Sequence, residues 1–320
     1  MQCRYNWVGQ SKSSVLILIF VTLIIALSGC TKSVRKVNYV TDDATALQSL
    51  SSRDETTSIQ DKSAQYLVNA GAIYLANQNL KIAELHFVAA INKDPKMTDA
   101  YIGLGRVEIL KGNYSSAMVS FAKARELSPD SAQALIGEAH ALRSEGKLNN
   151  AIKKINAAMA IEPGDINVLK ELAIIYDLMG KENLSEPLYR EIIAIAPDQA
   201  EGHNNMGLND MVRGRYQEAT LSFLQALALD GDNPRIKNNL ASAYLLNGDK
   251  ENALKIFKGT VGDAEAYNNV GYLLMTQGHF DEAEQALNKA VQINPRYYVR
   301  AQENLEKLQG MRHAANAPLL

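Results

Sequence analysis

The chain has 320 residues, 47% hydrophobic and 7% aromatic, with 33 lysines and arginines against 35 aspartates and glutamates for a formal net charge of −2. That near balance, with no basic cluster, excludes the electrostatic footprint of a nucleic-acid binder.

Arg4 and Lys12 precede an apolar run from Val15 to Leu27 broken only by Thr22, and no acidic residue occurs before position 42. A basic stretch followed by a short apolar one is the layout of a secretory signal peptide. A spanning helix needs about 20 apolar residues, and this run stops at Ser28-Gly29. The expectation is therefore removal of residues 1–29.

Leu27-Ser28-Gly29-Cys30 resembles the bacterial lipobox. The resemblance implies acylation of the Cys30 thiol and a mature chain that begins at Cys30. One acyl chain holds a protein marginally, at about 0.8 kcal/mol per buried CH₂, whereas several anchor it stably. Cys3 leaves with the signal and Cys30 is consumed by lipid, so the mature fold stands without disulfides in an oxidising periplasm. Loss of Arg4 and Lys12 leaves 31 basic residues against 35 acidic, a mature net charge of −4. Residue 31 is Thr, where lipoproteins similar to this one carry Asp when retained at the inner membrane. The expected location is the outer membrane, lipid-anchored and facing the periplasm. Residues 30–63 are rich in Ser, Thr and Asp and read as a flexible tether spanning on the order of 30 Å.

An internal period follows. Gly112, Gly146, Gly180, Gly214 and Gly248 are each 34 residues apart, and Pro95, Pro129, Pro163 and Pro197 keep the same step. Gly71, Tyr74, Ala83, Phe87, Ala90 and Pro95 have counterparts in Leu104, Gly105, Ala117, Phe121, Ala124 and Pro129. Later copies hold Leu172, Ala173, Tyr176, Tyr189 and Pro197, then Gly207, Ala219, Phe223 and Ala226, and finally Gly271, Ala283, Ala290 and Pro295. Small residues at Gly71 and Ala83 let paired helices approach, and Phe87 or Phe121 fills the gap to the next pair. The mid-repeat glycine ends the first helix in a left-handed cap, and proline stops the second.

These residues resemble the tetratricopeptide repeat over positions 64 to 297. The resemblance implies an all-α fold, an α-solenoid in which helix hairpins stack as a right-handed superhelix. The boundaries read 64–97, 98–131, 132–165, 166–199, 200–233, 234–263 and 264–297. The sixth is short: Ala241 to Gly271 is 30 residues. Its second helix is expected to lose about one turn, either as a hinge or as a drifted deletion. Ala301, Leu305 and Leu308 share one face of a capping helix over 298–309, needed because the last repeat exposes apolar surface. Residues 310–320 show no pattern and read as a disordered tail.

Catalysis finds no support. His86, His140, His203, His279 and His313 are scattered, without metal-ligand spacing, and the glycines form no phosphate-binding frame. No cofactor and no metal are expected. In the resembled family the first helix of each repeat lines a groove for peptides or partner helices. Projected here, that groove includes Asn69, Arg106, His140, Arg143, Lys170, Glu171, Asp177, Leu208 and Tyr272. It also includes three asparagine pairs: Asn204-Asn205, Asn238-Asn239 and Asn268-Asn269. A carboxamide donates and accepts, so Asn205, Asn239 and Asn269 could bond the backbone of an extended peptide. They could equally bond neighbouring groups of their own chain.

The lipobox, polar tether and repeats, with Asn294-Pro295-Arg296-Tyr297-Tyr298 and Ala301-Gln302-Glu303-Asn304-Leu305 at the end, resemble the TadD-like lipoproteins of the tight-adherence (Tad, Flp pilus) system. The resemblance implies protein partners, an outer-membrane secretin and other pilus assembly components, with membrane contact only through lipid and no nucleic acid. The same architecture also suits a type IV pilus pilotin, an envelope scaffold for peptidoglycan hydrolases, or a regulatory subunit of polysaccharide synthesis or export.

Overall fold

The computed structural model describes residues 61–294 and 298–315, all helix and connection with no strand among them. Cys30, the apolar run before it and nearly all of the tether lie outside the described residues. Those described fall into two compact units, 61–181 and 182–315. The division lies inside the fourth 34-residue period, after Gly180-Lys181.

The first unit holds α1 (Ala64–Ala76), α2 (Leu80–Lys93), α3 (Thr98–Lys111), α4 (Tyr114–Leu127), α5 (Ala132–Ser144), α6 (Leu148–Ile161) and α7 (Ile166–Leu178). The second holds α8 (Glu182–Ile195), α9 (Ala200–Val212), α10 (Tyr216–Leu229), α11 (Pro234–Leu246), α12 (Lys250–Val261), α13 (Asp263–Thr276), α14 (Phe280–Ile293) and α15 (Tyr298–Ala315).

Short polar residues start the helices. Ser63 and Ser131 accept from the amides of Tyr66 and Ala134, and Asp165 accepts from Asn167 and Val168. Each bond satisfies a donor that the helix itself leaves unpaired. The first helix of a hairpin ends as the glycine period implied. Gly146 has φ 75°, its amide donates to Arg143 O, and Lys147 N donates to Leu142 O at 2.8 Å. Gln78 makes the equivalent turn after α1 at φ 58°, the single non-glycine residue with positive φ among those described. Its bonds to Leu75 O and from Asn79 N to Tyr74 O follow the same geometry.

Packing between hairpins rests on a ring set against bare backbone. Phe87, 1% exposed, lies between α1 and α3. A Cβ at Gly71 would come within 2.8 Å of the ring, and one at Gly103 within 2.2 Å. Phe121 is held in the same way by Gly105 and Gly137, at 2.7 and 2.3 Å. In the second unit Gly207 faces Phe223, and Gly271 faces Leu287. Ala83, Ala117, Ala219, Ala253 and Ala283 are fully buried at the close approach within each hairpin. The α8–α9 contact departs from this scheme. Ser185 stands where the others have alanine, and its hydroxyl accepts from Asn209 Nδ2 at 2.8 Å with both residues fully buried.

Ion pairs staple neighbouring hairpins along the edges. Lys111 reaches Glu84 at 2.6 Å and Glu108 at 3.0 Å. Glu186 on α8 gathers Arg190, Arg213 and Arg215, and Arg215 also pairs with Asp210. The buried Glu138 is held by Arg125 at 3.3 Å and Lys154 at 2.5 Å.

Two expectations need correction. The short sixth repeat does not lose a whole turn of its second helix: α12 has 12 residues where α10 has 14. The rest of the deletion falls in the connection, where Gly262 alone, at φ 88° and ψ 167°, ends α12 and begins α13. A four-residue link occupies that place between α10 and α11. Only glycine adopts that φ and ψ readily. The capping helix, in turn, does not stop at residue 309 but runs to Ala315. Arg312 bonds Asp281 at 2.6 Å and Glu284 at 3.0 Å, which ties the extra turn to α14 and places it outside any disordered tail.

Gly103→Ala drives a methyl into the Phe87 ring, and urea unfolding should show a loss of about 1–3 kcal/mol. Gln78→Gly relieves the left-handed strain and should gain about 0.5–1 kcal/mol in the same measurement.

Candidate functional site

Within each unit, with one flank of a first helix committed to packing, its remaining face lies against the first helix of the next hairpin. Contacts across that face fix which residues share it. Arg106 Nη2 on α3 donates to Gln133 Oε1 on α5 at 3.4 Å. Arg143 on α5 grips Glu171 on α7 through Nε at 2.5 Å and Nη2 at 3.3 Å. In the second unit Asn239 Nδ2 on α11 donates to Asn204 Oδ1 on α9 at 2.8 Å.

Of the residues expected to line a groove, the structure places Asn69, Arg106, His140, Arg143, Lys170, Glu171 and Asp177 in the first unit. Asn69 is exposed and accepts from Gln65 Nε2 at 3.1 Å. His140 is half-buried; burial, aided by the Arg143 and Lys170 charges, lowers its pKa from the ordinary 6.5 against the pull of Glu171. Glu171 is buried and spent on Arg143.

Leu208, Tyr272 and the asparagine pairs lie in the second unit. Leu208 is half-buried against the core, and burial raises the pKa of the half-buried Tyr272 hydroxyl. The asparagines do not form a row of free amides. Asn204, Asn238, Asn268 and Asn269 are buried. Asn204 Nδ2 donates to Asn205 Oδ1 at 3.3 Å while accepting from Asn239. Asn304 on the capping helix donates to Asn268 Oδ1 at 2.9 Å. These carboxamides turn inward, Asn239 joining α11 to α9 and Asn304 joining the capping helix to α13.

A distinction between the units escaped the sequence reading. The position occupied by Val68 continues at 34-residue steps as Ile102, Ile136 and Lys170 in the first unit and as Asn204 and Asn238 in the second, with Asn268 thirty residues further on. Leu110, a turn beyond Arg106, is 57% exposed. A comparison of positions 34 residues apart shows the switch directly. Among the described residues no group of His, Cys, Asp and Glu could hold a metal ion, and no helix is long and apolar enough to cross a membrane.

Antiparallel helix hairpins that bury small residues between them and leave one helix face for other contacts define an α-helical repeat protein, the α-solenoid class. The repeat is the tetratricopeptide repeat: one tetratricopeptide-repeat family model matches residues 68–132 and 204–264, and a second matches 264–297. The chain is thus a tetratricopeptide-repeat protein. It is similar to human tetratricopeptide repeat protein 7B, 27% identical over 44% of this chain and 17% of that protein. It is also similar to human mitochondrial import receptor subunit TOM70, 22% identical over 66% of this chain and 36% of the relative. The chain thus spans about a sixth of the first relative's length and about a third of the second's. Among solved structures, a tetratricopeptide-repeat protein of Thermus thermophilus superposes with TM-score 0.54 at 19% identity, over 57% of this chain and all of that one. PilF of Pseudomonas aeruginosa does so with TM-score 0.51 at 17% identity, over 65% and 96%. These two likenesses concern the fold.

Asn239→Ala strips the donor from the buried Asn204 oxygen and should cost about 1–3 kcal/mol in urea unfolding. His140 binds its proton more weakly folded than unfolded, so the unfolded chain carries more protons between the two pKa values and stability falls as pH drops through 6.5. His140→Gln should flatten that slope in thermal melts recorded between neutral and mildly acid pH.

Proposed function

We propose that this chain is a lipid-anchored adaptor at the periplasmic side of the outer membrane, and that it recruits protein components during assembly of a pilus secretion machine of the tight-adherence type. The observation that carries the reading is the order of parts: a lipobox-like Leu27-Ser28-Gly29-Cys30, a stretch rich in Ser, Thr and Asp, and then tetratricopeptide repeats matched from residue 68. An anchor followed by binding modules holds a partner near the membrane and supplies no chemistry of its own. Tetratricopeptide repeats suit protein–protein interaction, and one relative is named as an import receptor. The end of the chain, from Asn294 to Leu305, supplies the resemblance to the tight-adherence lipoproteins, whose implied partner is the outer-membrane secretin.

Affinity capture of the intact lipoprotein from solubilised membranes should recover a secretin. Recovery of an amidase or transglycosylase in its place would overturn the pilus assignment. Cys30→Ala should move the protein from the membrane to the soluble fraction while circular dichroism stays helical; retention in the membrane would remove the anchor from the proposal.

A further inference from the structure

Leu85 and Val88 on α2, and Val119 and Ala122 on α4, are exposed, Leu85 by 54% and Val119 by 70%. They hold the same two positions of successive 34-residue periods. Helical spacing puts them on the side of each second helix opposite the buried Ala83 and Phe87, or Ala117 and Phe121. The period therefore lays them as one aliphatic strip along the outside of the first two hairpins. It ends at α6, where the same positions are the exposed Lys153 and Asn156. In the second unit Leu221 and Leu224 on α10 recur at these positions, but α8 has Arg190 and α12 has Lys255 there, so no neighbouring hairpin extends the apolar surface. Charges bordering the strip in the first unit are already spent, Glu84 on Lys111 at 2.6 Å and Glu126 on Lys123 at 2.9 Å.

We propose that this strip rests on the membrane surface, with its aliphatic side chains among the lipid headgroups and the tops of the acyl chains. Its place in the chain selects lipid as the occupant. The strip lies on the two hairpins that follow Cys30 most closely, and a flexible chain as long as residues 30–63 spans on the order of 30 Å. An acylated Cys30 keeps the strip within reach of the bilayer at a high effective concentration. Four small aliphatic side chains fall far short of the roughly 800 Å² that each partner gives to a stable protein interface, whereas a contact already held by an anchor needs little affinity of its own. With the bordering charges paired, the contact is apolar. The inference rests on the lipid anchor proposed above and adds an orientation: the first unit lies along the bilayer by α2 and α4, and its first helices face away from the lipid.

The intact lipoprotein, carrying Cys3→Ala so that an introduced cysteine is the reactive thiol, is labelled with a fluorophore at Val119→Cys, Lys153→Cys or Leu221→Cys. Each is reconstituted into phosphatidylcholine vesicles with and without lipid spin-labelled near the top of its acyl chain. All three positions are exposed, so each variant is expected to fold, and circular dichroism checks it. Spin-labelled lipid should quench the Val119 label about twofold, because an interfacial helix seats its apolar face about 5–10 Å into the headgroup boundary. The Lys153 and Leu221 labels should stay unquenched, and molar salt should leave the Val119 quenching in place, as an apolar contact requires. A Val119 label that is unquenched, or quenched no more than the other two, overturns the inference. So does a label shielded only when a secretin is added, which would give the strip to a protein. The Val119 label in a Cys3→Ala/Cys30→Ala chain, titrated with the same vesicles, separates this inference from the anchor. Quenching there, with a parent that proves unacylated, keeps the strip and removes the anchor, whereas an acylated parent with an unquenched Val119 label does the reverse.

Discussion

The fold depends on an aromatic ring lying where two helices have no side chain. Phe87 occupies the space that Cβ atoms of Gly71 and Gly103 would need, and Phe121 does the same to Gly105 and Gly137. Each ring therefore touches the first helix of its own hairpin and the first helix of the next. One contact sets both the closure of a hairpin and the register of its neighbour. Packing this tight has no slack for an extra methyl, since interiors are as dense as organic crystals. The neighbour contact repeats along each unit, so stability accrues hairpin by hairpin, and a polar outer surface is needed only where a unit ends. The capping helix supplies that end through Ala301 and Leu308, both buried, with Glu303 and Glu306 exposed on its other side.

The α8–α9 contact shows what happens when the scheme is altered. Tyr189 replaces the phenylalanine and Ser185 the alanine, and Asn209 arrives from α9 to bond the serine hydroxyl. A buried hydrogen bond contributes about 1 kcal/mol net but costs more when broken. It substitutes directional pairing for shape, and a neighbour that lacked the asparagine would leave the serine less well satisfied. The glutamate that gathers three arginines sits one residue on, at Glu186. Hydrogen bonds from Arg190, with the charges of Arg215 and Arg213, hold its carboxyl below the usual range.

Much of this was legible in the sequence because its signals are local and recur. Glycines at a 34-residue step mark left-handed caps, and alanine and phenylalanine at fixed offsets mark the two close approaches. Gly103 was overlooked because the expected small residue of its helix was already assigned to Gly105, and Gly137 because no small residue was assigned in the first helix of the third repeat; only the ring's position shows that these glycines are required. The extension of α15 to Ala315 depends on Arg312 finding Asp281 and Glu284, a contact between residues about thirty apart that no local propensity encodes. The asparagine pairs were visible as a pattern, but whether a carboxamide points to a ligand or to its neighbour is decided by distances between helices, and Asn239 lies 2.8 Å from Asn204.

The division between packing and recognition follows from these contacts. Once one flank of a first helix is fixed by the ring and glycine, exposed positions such as Asn69, Arg106 and Leu110 are the ones left to vary without loss of the fold. The two units use that freedom differently. In the second unit Asn204, Asn205 and Asn239 bond one another, so their chemistry goes into joining helices, and a substitution there acts first on stability. In the first unit Val68 and Ile102 are buried in the hairpin cores, whereas Arg106 and Leu110 are exposed, and a substitution at either of those two has little packing to lose. A surface whose side chains are not needed to hold the hairpins together is free to be selected for what it binds, and Arg106 with Leu110 is the pair that meets that condition.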